Sequence, residues 1–332
     1  MSKKLITVIL LSLVVLLLVS LGYHFLYKDK HQPVPDASTG VQRLHVESCR
    51  IADDNGKVVQ LTGMSSHGLL WYPAYTNANA MQTLKSYGAN TFRIAAYSDD
   101  NGGGYVQKKE ETMQFVYMAI ENAISTDLYV IVDWHILQDG NPLSNLENAS
   151  AFFAEISSHY GDCPNILYEI CNEPNGAATW DDIYAYATQV IPVIRNNAPN
   201  AIILVGTPNY SYSVNRVFDK PLEFDNIMYT FHFYAGQHGD SYNELFNQCE
   251  KMNIPVFVSE WGINYGDNGK VALDQGEQFV TVLNRRKISW VAWSLSNKDE
   301  VFSAIKPGCD KLSEWETDDL TEVGKVFFEA FQ

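Results

Sequence analysis

Residues 41–332 are predicted to fold as one α/β domain, an eight-stranded TIM (β/α) barrel, behind an N-terminal hydrophobic helix. Three observations carry this prediction. Eight short β-branched and aromatic runs alternate with amphipathic stretches of helical period, and no Ser/Pro-rich linker interrupts them. No GxGxxG follows the first run, which argues against a doubly wound sheet. Polar and ionisable residues recur at the C-terminal ends of the runs, where such barrels keep their chemistry.

The chain opens with Lys3 and Lys4, and residues 5–26 then carry no Lys, Arg, Asp or Glu. At about 1.5 Å per residue such a helix spans about 30 Å of hydrocarbon. A cleaved signal peptide has a shorter apolar core of about 7–15 residues. Residues 1–27 therefore read as a membrane anchor in preference to a signal peptide, and either reading puts the remainder outside the cytoplasm. Residues 28–40 (KDKHQPVPDASTG) are polar, hold two prolines and form a short linker. Residues 44–51, with the turn signal Asp54-Asn55-Gly56, predict a hairpin that closes the bottom of the barrel.

The barrel strands are expected at 58–64, 90–95, 129–134, 166–170, 201–205, 227–231, 256–259 and 290–293. Each is a run rich in Val, Ile, Phe, Tyr or Trp, as strands covered on both faces require. Helices are expected at 78–87, 110–126, 149–160, 181–197, 242–252, 271–286 and 321–331, where apolar residues recur at helical spacing.

Composition narrows the function. The 332 residues carry a net charge of −16, a field that repels phosphate backbones and excludes a nucleic-acid partner. An apolar fraction of 46% with only 19% charged residues excludes a disordered chain. The five cysteines form neither a CxxC nor a zinc-ligand spacing, so no disulfide and no structural metal is expected.

At the strand ends stand His67, Arg93, His135, Asn172-Glu173, His232 with Tyr234, Glu260 and Trp293. Taken singly, a strand-end histidine is more often a structural residue, and Trp293 could be core. Together, two carboxylates, an arginine and three histidines would converge on one pocket, and burying so many polar groups without a task is costly.

In these residues the chain resembles glycoside hydrolase family 5 cellulases, nearest to the bacterial endo-β-1,4-glucanases of subfamily 2. The resemblance runs from residue 44 to the C-terminus. Its motifs are GMSSHGLLWY (63–72), FRIAAY (92–97), VDWHIL (132–137), YEICNEPNG (168–176), FHFYA (231–235), VSEWG (258–262) and WSLSNKDE (293–300). Cys171 departs from it, standing where a small apolar residue is expected, and 263–269 is shorter than the family's glycine-rich loop.

The resemblance implies a retaining endoglucanase without cofactor or metal, acting as a monomer on β-glucan polysaccharide. It implies Glu173 as proton donor and general base and Glu260 as nucleophile, with Arg93 and Tyr234 on the nucleophile. Asn172, His135 and His232 would line the reacting sugar. His67, Trp71, Tyr72, Tyr97, Lys298 and Glu300 would bind on the glycone side, Trp293 beneath the sugar and Trp180 on the leaving-group side. The same site on mixed-linkage glucan, glucomannan or xyloglucan is the near alternative. A metal-dependent barrel hydrolase is disfavoured, because a cation on both glutamates would block acid/base work. A non-catalytic sugar-binding barrel would have lost one glutamate, and both are present.

Overall fold

The computed structural model describes residues 40–99, 103–161, 163–265 and 270–332. The apolar run at 5–26 and most of the linker lie outside the described residues. Among the described residues no helix is long and apolar enough to cross a membrane.

Two antiparallel strands come first, β1 (Leu44–Glu47) and β2 (Arg50–Asp53). Eight parallel strands then close a barrel: β3 (Thr62–Ser66), β4 (Thr91–Tyr97), β5 (Tyr129–His135), β6 (Ile166–Glu169), β7 (Ile203–Val205), β8 (Ile227–Tyr234), β9 (Val256–Gly262) and β10 (Trp290–Leu295), with β10 pairing back to β3. Every barrel strand overlaps its predicted run. The first strand starts four residues later than expected, because residues 58–61 lead from the hairpin into the barrel.

The longer helices are α1 (Ala78–Ser86), α2 (Lys109–Ser125), α3 (Leu146–Tyr160), α4 (Trp180–Arg195), α5 (Tyr242–Met252), α6 (Leu273–Arg286) and α7 (Glu322–Ala330). Local chemistry sets their ends. Asn77 caps α1 by accepting from the Ala80 N–H, and Thr179 with Asp182 forms a capping box on α4. Helices α5 and α6 stop at Asn253 and Lys287, both in the left-handed conformation.

The hairpin differs in one detail from expectation. Its two strands are joined at Ser48-Cys49, and Asp54-Asn55-Gly56 makes a second reversal that returns Val59 to the Ile51 carbonyl. Asp53 Oδ1 accepts the N–H groups of Asn55 and Lys57, so that turn satisfies itself locally. As predicted, the hairpin covers the barrel bottom: Leu44 and Ile51 pack in one buried cluster with Leu61, Tyr129, Leu167, Ile202, Met228, Phe257 and Val291. The other end of the barrel is left open for the site.

Close strand packing needs glycine at one early position. A Cβ on Gly63 would sit 1.8 Å from the Thr91 carbonyl oxygen, so β3 and β4 could not approach with any larger residue there.

Candidate active site

Strand alternation turns Arg93 on β4, Asp133 and His135 on β5, Glu169 on β6, His232 on β8 and Glu260 on β9 toward the barrel axis. Arg93 is fully buried and organises the rest. Its Nε and Nη2 donate to the Glu169 carboxylate at 2.7 and 3.2 Å. Nη1 donates to Glu260 Oε2 at 3.2 Å, and Nη2 to Asn172 Oδ1 at 2.7 Å. Asp133 Oδ2 lies 3.0 Å from Nη2. A guanidinium can serve this many acceptors because its five N–H groups form a rigid planar fork.

The two candidate carboxylates meet different surroundings. Glu260 accepts from Arg93 and, at 2.7 Å, from the Tyr234 hydroxyl. Burial alone would raise its pKa, but the positive charges of His232 and Arg93 and the Tyr234 hydrogen bond hold it below the ordinary carboxylate value. Glu173 meets His232 Nδ1 at 2.8 Å and has no arginine in contact. Its desolvation, helped by the negative charge of Glu260, raises its pKa above the ordinary value. One atom each of Glu173, His232 and Glu260 lie within 4.8 Å of one another. These three donors could also surround a cation, but each is already engaged by a proton-bearing partner that a metal would have to displace.

The histidines separate by environment. His135 stacks on Trp293 at 5.3 Å between ring centres, and desolvation together with the Arg93 charge pushes its pKa down to about 3, so it is neutral. His232 would be lowered by burial too, yet the facing carboxylates Glu169, Glu173 and Glu260 raise it to about 9.

On the glycone side, His67 accepts the Gly68 N–H on Nδ1 and turns Nε2 toward Glu300 at 3.4 Å. Lys298 reaches Glu300 at 2.6 Å and His67 at 3.3 Å. His67 also lies 4.9 Å from the Tyr72 ring and 5.4 Å from Trp293. Trp71, 37% exposed, stands edge-on to Tyr97 at 4.8 Å, and Tyr97 in turn lies 4.2 Å from His135. These residues form one contiguous wall.

Trp180 does not join them. It is the first residue of α4, is buried, donates Nε1–H to the Lys220 carbonyl at 2.8 Å and packs edge-on against Tyr184 and Tyr229. A ring so enclosed offers little face to a sugar. The exposed aromatic beside Glu173 is Tyr210, 50% exposed, which lines a cavity of about 400 Å³ with Glu173, Asn209, Tyr212, Gln237 and Phe302. Asn209, Tyr210 and Ser211 all have positive φ, a costly backbone for residues other than glycine. The strained turn is clamped beside Glu173: Tyr210 N–H donates to the Pro174 carbonyl at 2.9 Å and Ser211 Oγ to the Asn172 carbonyl at 2.5 Å. Gly206 permits the approach, since a Cβ there would lie 2.2 Å from the Cys171 carbonyl oxygen.

Sequence reasoning also missed Asp133, Glu169 and Ser259. Each is fully buried within a strand. The available signal was an acidic residue inside an otherwise apolar run, as in YVIVDWH and ILYE, which burial tolerates only with a partner.

The cellulase model of glycosyl hydrolase family 5 matches residues 52–299. The chain belongs to glycosyl hydrolase family 5. Among its relatives, an endoglucanase of Clostridium saccharobutylicum is 42% identical over 285 residues, covering 85% of this chain and 63% of that protein. Endoglucanase A of Butyrivibrio fibrisolvens is 41% identical over 306 residues, covering 89% of this chain and 71% of that one. The chain thus spans about two thirds of the length of these relatives. The catalytic domain of Thermobifida fusca endoglucanase Cel5A superposes with a TM-score of 0.82 at 32% identity, covering 90% of this chain and 99% of that domain. A second structure of that domain is a complex with cellotetraose. Membership of family 5 accounts for the barrel.

Proposed function

We propose that this family 5 chain is a retaining endo-β-1,4-glucanase that works by double displacement, with Glu260 as nucleophile and Glu173 as general acid and then general base. The observation that carries it is the carboxylate pair. Glu173 and Glu260 have atoms within 4.8 Å of each other, while their surroundings drive them to opposite protonation states. A retaining pair stands at about 5–5.5 Å; an inverting pair needs about 6.5–9.5 Å to admit a water between acid and base.

In the first step Glu260, ionised beside Arg93, attacks the anomeric carbon as Glu173 protonates the departing oxygen. In the second, water attacks from the vacated side and Glu173 removes its proton. Asn172, held by Arg93, presents its amide to the sugar 2-hydroxyl, and Trp293 stacks beneath the ring. Aromatic residues on both sides of the carboxylates, Trp71 with Tyr97 and Tyr210 with Tyr212, favour an open groove that admits the middle of a chain. The names of the relatives and the cellotetraose complex of the Thermobifida domain support β-1,4-glucan as substrate. The test follows viscosity and reducing ends together on carboxymethylcellulose. An early fall in viscosity is expected, and reducing ends released without it would defeat the internal-cutting claim. The same assay on mixed-linkage glucan, glucomannan and xyloglucan ranks the alternatives.

For location, the uncharged run at 5–26 supports anchoring with the barrel outside the cytoplasm. Cell fractionation with sequencing of the mature N-terminus should find the chain outside the cytoplasm, beginning either at Met1 or near Tyr23; a soluble cytoplasmic chain with its N-terminus intact would refute it.

A further inference from the structure

At the end of the barrel opposite the carboxylates, the tip of the hairpin docks on the last turn of α5. Ser48 has positive φ there, and the next residue, Cys49, is buried. The Cys49 thiol donates toward the Cys249 carbonyl oxygen at 3.7 Å and toward Asn253 Oδ1 at 3.7 Å, Asn253 being the residue at which the helix stops. One residue further along each segment, Arg50 Nη2 donates to Glu250 Oε1 at 2.5 Å. Arg50 Nε donates to the Arg286 carbonyl at 2.6 Å, and Arg286 Nη1 to Glu250 Oε2 at 3.0 Å. Residues 49 and 50 thus meet residues 249 and 250 in register, across 200 residues of chain.

A single buried cysteine is ordinarily a small inert hydrophobe, whereas a facing pair can oxidise. Cys249 is 2% exposed and Cys49 8%, and burial raises the pKa of both thiols, that of Cys249 to about 12. The charge that acts most strongly on the Cys249 thiol is that of Cys49, ahead of Glu250, its own neighbour in the chain. Such an interaction falls with distance, in keeping with sulfurs that stand close. We propose that Cys49 and Cys249 form a disulfide that fastens the bottom hairpin to α5. A separation of 200 residues carries no spacing signal, so cysteine spacing predicted no such bond. The inference is independent of the proposed reaction, whose groups ring the other end of the barrel.

The electrons leave by exchange with a low-molecular-weight disulfide. Cys49 attacks first, because Arg50 offsets part of the effect of burial on its thiol and because it is the more exposed of the two. Its thiolate displaces one external thiol and forms a mixed disulfide. The Cys249 thiolate then attacks the Cys49 sulfur and displaces the second. One external disulfide is reduced to two thiols, which take up the two protons, and one S–S bond forms within the chain. The bond closes a loop of about 200 residues and so restricts the unfolded chain. Outside the cytoplasm, the location proposed above, it would persist.

The experiment incubates the full chain with glutathione disulfide just below its melting temperature, where the hairpin opens locally. The protein is then denatured, its free thiols are alkylated, and its peptides are mapped by mass spectrometry. Alkylated Cys163, Cys171 and Cys309 are expected, with one linked pair of peptides holding Cys49 and Cys249; after dithiothreitol all five should alkylate. The oxidised chain should melt about 5 °C above the reduced one, and the difference should vanish in Cys249→Ser. In that variant the mixed disulfide should stop on Cys49. Five alkylated cysteines in the oxidised chain, or a link from Cys49 to any other thiol, overturns the proposal. A linked chain that melts no higher than the reduced one overturns the fastening role. The peptide map needs no variant, so it decides the matter whether or not Cys249→Ser folds. Thiols are counted without substrate, so a linked protein that cuts no β-glucan would sink the proposed function and leave this inference standing.

Discussion

Among single residues, the proposed reaction divides labour between two glutamates that differ only in their neighbours. Glu260 has Arg93 and Tyr234, and Glu173 has His232 and a desolvated pocket. With Glu173 replaced by Ala, natural β-glucans should be cut very slowly, because their leaving oxygen needs a proton. An aryl glycoside with an easily departing phenolate does not need one, so its first step should persist. A glycosyl-enzyme should then accumulate, and azide, which requires no base, should discharge it as the β-glycosyl azide. Mass spectrometry that finds the sugar on a peptide other than the one holding Glu260 would reverse the assignment. The same contrast predicts a bell-shaped pH profile. Activity needs Glu260 ionised and the Glu173–His232 pair still holding its proton. Because Glu260 is lowered, the acid limb should lie below the usual carboxylate range; because Glu173 and His232 are both raised, the basic limb should lie above it. Initial rates across pH, on substrate held far below KM, test both signs at once. The grouping of these residues was legible in the sequence, since they stand at strand ends in fixed motifs. Asp133 and Glu169 were not, because a buried carboxylate within a strand looks like any interruption of an apolar run until its partner on another strand is known.

At the scale of elements, the β6 and β7 loops show how backbone geometry decides what a side chain can do. Trp180 opens α4 and folds under it, so its ring serves the helix and not the cleft. Replacing it with Phe removes one half-buried hydrogen bond, to the Lys220 carbonyl, and should cost about 1 kcal/mol of stability while leaving kinetics on long substrates alone. Tyr210 should behave in the opposite way. Its removal to Ala deletes an exposed ring beside Glu173 and should raise KM for oligosaccharides by roughly 2- to 12-fold, equivalent to the about 0.5–1.5 kcal/mol of one aromatic contact. Thermal melts paired with steady-state kinetics on both variants separate the two roles. Equal KM increases would restore Trp180 to the cleft. That Trp180 is enclosed while Tyr210 is exposed was hidden in the sequence. A tryptophan near a catalytic motif suggests stacking, whereas three consecutive positive-φ residues without glycine leave no compositional trace.

At the scale of the whole molecule, stability and chemistry occupy opposite ends of the barrel. The hairpin seals the bottom through Leu44 and Ile51, and the reacting groups ring the top. Ile51→Ala should therefore leave a cavity costing about 2–5 kcal/mol. Measured by denaturant unfolding, that loss should appear without a change in kcat/KM at temperatures where the variant stays folded. A large kinetic defect in a folded Ile51→Ala protein would show that the two ends are coupled.

The barrel, the position of its strands, the bottom-closing hairpin and most of the polar groups gathered at the open end could be read from the chain in one dimension. Periodicity and strand-end chemistry are local, and local signals survive in one dimension. Which groups charge one another depends on contacts that folding makes between distant parts of the chain. Arg93 meets Glu169, Asn172 and Glu260 across 76, 79 and 167 residues of chain, and His232 meets Glu173 across 59. The protonation state of each follows from those distances. A charge acts through space in a dry interior, and spacing along the chain does not report it.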